Sequence, residues 1–193
     1  EHTLPDSPFF TDVIELYSQT RTAYTPTLVV QYNAESMREY FFARSDVYGN
    51  EKLRRFTPDN RLDELTERRP VWLRDNPFDF RHAAAQATKI QRAGGLVGVG
   101  GHGELQGLGY HWEMWGFEMG GMKPIEVLRA ATIDGARIIG VDQDLGSIEV
   151  SKLADMVILN ANPLDDIKNT RRIDSVYLRG DAVDRAGMRS AGQ

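Results

Sequence analysis

Apolar periodicity switches between helical and extended along most of this chain, and that alternation limits the available folds more than any other feature. Ser7-Pro8 reads as an N-cap followed by proline in a first turn, and Phe10, Val13, Ile14 and Tyr17 then share one helical face. The β-branched and aromatic run Tyr24–Val30 predicts a short buried strand with Pro26 near its start. Asp79 is placed to cap a further helix. Phe80, Ala83, Ala84, Ala87 and Ile90 form its apolar stripe, and Gly94-Gly95 ends it. Leu96-Val97-Gly98-Val99 reads as the next strand and runs into Gly100-Gly101-His102-Gly103. Helix, strand, helix, strand in that order is the pattern of parallel βα units.

Helices are expected next near Gly109–Met119, over Pro124–Thr132, and from Thr132 to just before Gly140. Beyond that the texture becomes all-β. Strands are expected at Ser147-Ile148, Ala154–Leu159 and Ser175–Arg179, with turns at Asn162-Pro163 and Gly180-Asp181 and a frayed tail over 185–193. The polar, charged and aromatic stretch 33–76 interrupts the alternation, with short helices expected around Glu35–Ala43 and Asp59–Arg69. Such an insertion is either a lid or binding loop, or a surface decoration.

A length of 193 residues suffices for one domain with a real core, and 41% hydrophobic with 26% charged residues is ordinary for a globular chain. The net charge of -5 argues against a nucleic-acid or anionic-membrane partner, and the basic pairs Arg54-Arg55 and Arg171-Arg172 read as solvated faces. No cysteine is present, which excludes disulfides, thiolate ligands and thiol nucleophiles and leaves the compartment open between cytoplasm and periplasm. No apolar run approaches the roughly 20 residues that span a bilayer. Glu1-His2-Thr3 carries neither an initiator methionine nor a signal-peptide pattern, so the chain is expected to begin inside a larger protein.

The ordered run Pro124-Ile125-Glu126-Val127-Leu128-Arg129-Ala130-Ala131-Thr132, Gly140, Leu145-Gly146-Ser147-Ile148, Lys152-Leu153-Ala154-Asp155-Met156-Val157-Ile158-Leu159-Asn160 and Asn162-Pro163-Leu164 resembles the C-terminal signature of the amidohydrolase superfamily. The phrase 103–113, Gly-Glu-Leu-Gln-Gly-Leu-Gly-Tyr-His-Trp-Glu, is similar to the branch whose longer members carry TolB-like propeller repeats. The resemblance implies the C-terminal part of a TIM (β/α)8 barrel, about strands 6–8, plus strands of a small composite β-sandwich. Glu1-His2 would end the sixth strand, Tyr24–Val30 would form the seventh and Leu96–Gly101 the eighth. On this reading residues 1–141 are barrel and 142–184 sandwich.

The activity it implies is hydrolysis of amide-like C–N bonds or esters by water activated on one or two divalent metals, zinc being the ion best suited to imidazole. Barrel ligands sit at the C-terminal ends of strands, which is where His2 and His102 fall. The family's first-strand His-x-His, fourth-strand Lys or Glu and fifth-strand His would lie upstream of Glu1. The chain alone is therefore expected to hold no metal tightly and to be inactive. His102 also stands where the family carries a ligand-and-base aspartate. Imidazole can ligate zinc and accept a proton near neutrality, so His102 keeps both roles open. Ser151 replaces a turn glycine, a change expected to cost little.

Each candidate has a plainer reading. His2 is a metal ligand or an exposed residue near the chain start. His102 is a ligand or base, or a polar residue in a glycine-rich turn. His111 and Glu113, two apart on a helix, are substrate or outer-sphere contacts, or capping and packing residues. His82 has no acidic or histidine partner at ligand spacing and reads as structural, as do Lys152 and Asp155. Gly98–Gly103 matches G-x-G-x-x-G, with Glu118 about 20 residues on. The residues after it are loop-like and Glu118 lies in a helical pattern, which argues against a dinucleotide site and against any bound organic cofactor. No G-x-S-x-G elbow is present. Three functions follow: metal-dependent hydrolysis of small or dipeptide-like substrates in the intact protein, a non-catalytic scaffold that kept the fold, and, least supported, a nucleotide-binding oxidoreductase. Open sheet edges in such a piece would favour self-association.

Overall fold

Two strands far apart in sequence hold the centre of the molecule. In the computed structural model, which describes residues 2–4, 8–20, 22–30, 37–67, 80–103 and 105–190, β1 (Ala23–Tyr24) pairs in parallel with β2 (Leu96–Val97). The register sets Ala23 against Leu96 and Tyr24 against Val97, and the Gly98 N–H extends it by donating to the Tyr24 carbonyl at 3.1 Å. A parallel pair needs a long crossover, supplied here by the helical stretch between the strands. Helix α1 (Thr11–Gln19) precedes β1; α2 (Met37–Phe42), α3 (Glu51–Phe56), α4 (Asp59–Glu67) and α5 (Phe80–Arg92) lie in the crossover. After β2 come α6 (Leu108–Met119), α7 (Pro124–Ala131) and α8 (Ile133–Ile138). A separate antiparallel sheet then forms from β3 (Met156–Leu159), β4 (Ile173–Leu178) and β5 (Asp181–Ala182), in that order, before α9 (Arg185–Ser190).

The core sits between α5, α6 and the β1–β2 pair. Phe80, Ala84, Ala87 and Ile90 of α5 are fully buried, as the stripe in the sequence requires, and Trp112 and Phe117 of α6 meet them in one apolar cluster. Phe41 of α2 stacks on Trp112 with ring centroids 5.1 Å apart and Phe42 meets the same indole edge-on at 5.4 Å, so the insertion's first helix belongs to the core. The α5–α6 crossing is close at Gly120, where a Cβ would stand 2.3 Å from the Ala84 Cβ and 2.6 Å from its carbonyl carbon. Arg92 at the end of α5 forks onto Glu126 of α7 (Nε–Oε1 3.1 Å, Nη2–Oε2 2.8 Å), and Glu126 also accepts from the Lys123 N–H at 2.7 Å. One carboxylate thus caps α7 and ties it to α5.

Several expectations are corrected. The first helix starts at Thr11, with Phe10 as its extended N-cap; Phe10 is therefore out of phase with the helical stripe and 74% exposed. The proposed cap Ser7 lies outside the described residues, as do Asp79 and most of the insertion's flanks. The strand expected over Tyr24–Val30 stops at Tyr24. Pro26 offers no N–H, Thr27 takes φ 53°, and Leu28–Val30 forms a 3-10 turn whose first two N–H groups go to a side chain rather than to a ladder. Helix α3, started by the Asn50 side chain accepting from the Leu53 N–H, was not expected.

No strand forms at Ser147-Ile148. The Ser147 hydroxyl is taken by Glu149 and by the Lys152 ammonium, and Ile148 and Val150 are 89% and 97% exposed. Ser151 adopts φ 77°, a left-handed conformation that costs about 1 kcal/mol or more for a residue with a Cβ, so the loss of glycine there is larger than expected. The tail is helical over α9, held where the Arg185 guanidinium donates to the carbonyls of Ile173 (3.1 Å) and Asp174. Because the approach at Gly120 is against backbone, Gly120→Ala is expected to lower stability by about 1–3 kcal/mol in chemical denaturation. Gly94→Ala, where a Cβ meets nothing within 4 Å, should cost only its positive φ of 95°.

Candidate functional site

The chain leaving β2 passes through a tight gap at two glycines. A Cβ on Gly100 would lie 2.8 Å from the Thr27 hydroxyl, and one on Gly101 would lie 3.1 Å from the Tyr110 nitrogen. Immediately afterwards the backbone reverses. The Gly103 N–H donates to the Gly101 carbonyl at 2.7 Å, which makes His102 the middle residue of a three-residue turn with φ 53°. His2 also sits in the left-handed region, at φ 62°. Each placement costs about 1–2 kcal/mol relative to an ordinary conformation.

These two strained residues face each other. The His2 and His102 rings have centroids 5.6 Å apart and planes tilted by 56°. Two imidazoles bound to one zinc at about 2.0–2.1 Å per nitrogen would place their centroids roughly 5–6 Å apart, so the pair fits two positions of a shared coordination sphere. It does not complete one: among the described residues no group of three or more His, Cys, Asp or Glu could hold an ion.

The other two candidates on α6 diverge. Glu113 is fully buried and accepts from the Leu28 N–H at 2.7 Å and the Val29 N–H at 3.1 Å, one with each oxygen. It clamps the 3-10 turn that follows β1. Burial raises its pKa to about 8, against the two N–H donors that favour the charged form. His111 points elsewhere, its Nδ1 being 3.1 Å from the Thr170 hydroxyl. That hydroxyl gives its proton to the Ile167 carbonyl at 2.8 Å and accepts from Trp115 Nε1 at 3.4 Å, so the His111 proton belongs on Nδ1 and Nε2 is the free acceptor. Burial, then Arg171 and Lys52, hold the His111 pKa down to about 4. His111 borders a cavity of about 690 Å³ that Lys52, Thr57 and Arg171 also line, open to a small-molecule contact.

Thus the fold brings His2 and His102 together and sends His111 and Glu113 to separate tasks. His82 joins neither, and its carbonyl accepts from Gln86 within α5. Lys152 is bound to Ser147 at 2.6 Å, and Asp155 accepts from the Arg179 N–H at 2.6 Å, both within the C-terminal sheet region. Sequence reasoning missed Thr170 and the Leu28–Val29 amides. They stand 59 and 84–85 residues from their partners, and no local pattern marks them.

Residues 108–183 match the amidohydrolase family. An imidazolonepropionase from Shouchella clausii is 39% identical over 70 residues, which is 35% of this chain and 16% of that protein. Among solved structures, a putative prolidase from Bifidobacterium longum is similar over 95% of this chain and 41% of its own, with a TM-score of 0.61 and 24% identity. A Xaa-Pro dipeptidase with bound methionine in the active site is similar over 90% of this chain and 37% of its own, at a TM-score of 0.57 and 20% identity. The chain therefore has the mixed α/β fold of part of these two structures and spans less than half the length of either. The amidohydrolase family generally works with a divalent metal.

The two buried titrating groups of α6 pull stability in opposite directions. Glu113, raised in the fold, contributes stability that is lost as pH climbs from about 4.5 to about 8; His111, lowered, contributes stability that is lost as pH falls from about 6.5 to about 4. The slopes offset each other between about 4.5 and 6.5, so a stability plateau is expected there, with a decline above it of about 1.4 kcal/mol per pH unit at most. Denaturation midpoints across pH 4–9 should show Glu113→Gln flattening the alkaline limb and His111→Asn flattening the acid one.

Proposed function

We propose that the intact protein is a metal-dependent hydrolase of amide-like C–N bonds in small or dipeptide-like substrates, and that His2 and His102 are two of its metal ligands. The observation that carries this reading is the facing of two imidazoles, both in left-handed backbone conformations, at the separation two ligands of one ion would have. The amidohydrolase-family segment and the fold shared with prolidase-type structures support it. On this reading β1 and β2 are the seventh and eighth barrel strands, His2 follows the sixth, β3–β5 are sandwich strands beyond residue 141, and the parent belongs to the branch with propeller repeats. A bound divalent ion, zinc by preference for imidazole, would polarise the scissile carbonyl and make its water acidic.

The chain's own contribution is positional. Gly100 passes Thr27 and Gly101 passes Tyr110, and His102 follows on a short hydrogen-bonded turn that presents its imidazole. There it would hold one metal position through one ring nitrogen, or take the proton from the attacking water as the base; the family gives both roles to aspartate, but the two nitrogens of an imidazole point apart and fill one role at a time. Glu113 fixes the turn after β1, whose Thr27 forms one wall of that passage. With only two ligands among the described residues, the 193-residue chain alone is inactive on this proposal.

The test compares this chain with the same chain extended by the reading frame that precedes it, both loaded with zinc or manganese and assayed on Xaa-Pro dipeptides and N-acyl amino acids. The extended protein should turn over, the short chain should not, and His102→Ala should lower kcat/KM about a hundredfold to ten-thousandfold. Activity indifferent to His102 would sink the assignment. An extended protein that neither binds zinc nor hydrolyses these substrates would leave the non-catalytic scaffold as the reading to adopt.

Self-association of the short chain is a second part of the proposal. β3 has an open edge, and Val157, Ile158 and Leu178 of the three-stranded sheet are 44–58% exposed beside the almost bare Ile148 and Val150. Multi-angle light scattering should find dimers or larger species; a monomer at tens of micromolar would contradict it.

A further inference from the structure

The net charge of -5 conceals a local concentration of the opposite sign. Between α2, α6 and the 3-10 turn Ile167–Arg171 lies a cavity of about 640 Å³ lined by Arg44, Lys168, Arg171 and Arg172, with Glu118 as its acidic wall residue. These cations come from places more than 120 residues apart in sequence, so the cluster is a product of the fold. Tyr40, Phe41 and Trp115 form the apolar part of the wall. Arg44 lies 4.2 Å over the Tyr40 ring, and Arg171 lies 5.9 Å from the Trp115 ring centroid. Both guanidiniums lie over aromatic faces, an arrangement that Arg adopts more often than Lys.

What neutralises this charge within the fold is too little. Among the described residues no Asp or Glu comes within ion-pair distance of Lys168, Arg171 or Arg172, whereas Arg61, Arg92, Arg129, Arg137 and Lys152 all have such partners. Glu118 feels Lys168, while burial and the neighbouring Asp166 raise its pKa. The C-terminal end of α6 adds about half a negative charge. Together these offset fewer than two of the three charges of Lys168, Arg171 and Arg172.

We propose that this cleft is a binding site for a small phosphate-bearing anion, separate from the His2–His102 pair. Its size is that of a small-molecule pocket. Forked guanidiniums with a flexible ammonium match the several acceptor oxygens of a phosphate or diphosphate. The cations ring one cavity and do not track along a surface, which suits a compact anion better than a nucleic-acid backbone. The position along α6 is telling: His111 is in its first turn near the turn of His102, whereas Trp115, Glu118 and Met119 line this cleft one to two turns further on. Arg171 lines both cavities, and it is the residue through which occupancy of one would be felt at the other.

Inorganic pyrophosphate is the probe, added to the 193-residue chain in 0.1 M salt and followed by titration calorimetry and by tryptophan emission, since Trp115 is in the wall. Saturable one-to-one binding in the micromolar to low-millimolar range is expected. Lys168→Gln with Arg172→Gln should weaken it at least tenfold, while Arg61→Gln, at an exposed pair with Glu64, should change it less than twofold. The cations repel one another, so the double variant should fold at least as stably as the parent, and circular dichroism with the melting midpoint checks this. No saturable binding, or equal loss in the Arg61→Gln variant, overturns the proposal. So does a single-stranded oligonucleotide or an anionic-lipid vesicle that binds more tightly per phosphate than pyrophosphate and loses affinity in the same double variant.

Discussion

The carboxylate of Glu113, sealed from water and shared between the Leu28 and Val29 amides, is the contact on which the arrangement of the other parts rests. Ionising a carboxyl there is costly, and two N–H donors recover only part of its hydration, which is why its pKa is pushed up to about 8. The cost is accepted because the turn after β1 has no other way to satisfy those amides. Pro26 and the left-handed Thr27 have already taken the chain out of the β ladder. By gripping the turn from α6, Glu113 fixes where Thr27 stands, and Thr27 is one wall of the passage that carries the glycines to His102. A single side chain therefore joins the two strands' exits, and replacing it disturbs the site without touching either imidazole.

The helical part of the fold was legible because its signals are local. The stripe Phe80, Ala83, Ala84, Ala87 and Ile90 with its glycine stop gives α5 almost to the residue, and Pro124 with Glu126 gives the start of α7. Strands were legible in place but not in extent. Tyr24–Val30 has strand composition throughout, yet only Ala23–Tyr24 pairs, because hydrogen bonding to a residue 84–85 positions away decides the rest. Ser147-Ile148 failed for the opposite reason, since its hydroxyl finds partners within five residues and the backbone is left without a neighbour strand.

Of the candidate site, the His2–His102 pairing was reachable only through the family resemblance, because nothing in the residues between them links position 2 to position 102. The tasks of His111 and Glu113 were reachable only in part. Their spacing says that they face different sides of a helix, but not that one side holds Thr170 and the other a strand exit. Of the four cations that line the cleft with Trp115, Arg171 and Arg172 were read as a solvated basic pair, and Lys168 and Arg44 carried no signal of their own. Arg44 joins them through the packing of the insertion, which no window of sequence contains.

The 85 residues between Leu28 and Glu113 also bear on how the chain is made. At roughly 5–20 residues per second, β1 and its turn would leave the ribosome about 4–17 s before α6 follows. Throughout that interval the Leu28 and Val29 amides have only water, and until β2 emerges, shortly before Glu113, the β1 strand has nothing to pair with. Helices α2 and α5 are too short to be stable on their own in that time, and Phe41 and Phe42 wait uncovered for the indole of Trp112. The nascent chain therefore spends seconds with its most apolar faces open, and α6 is the element whose arrival closes them all at once.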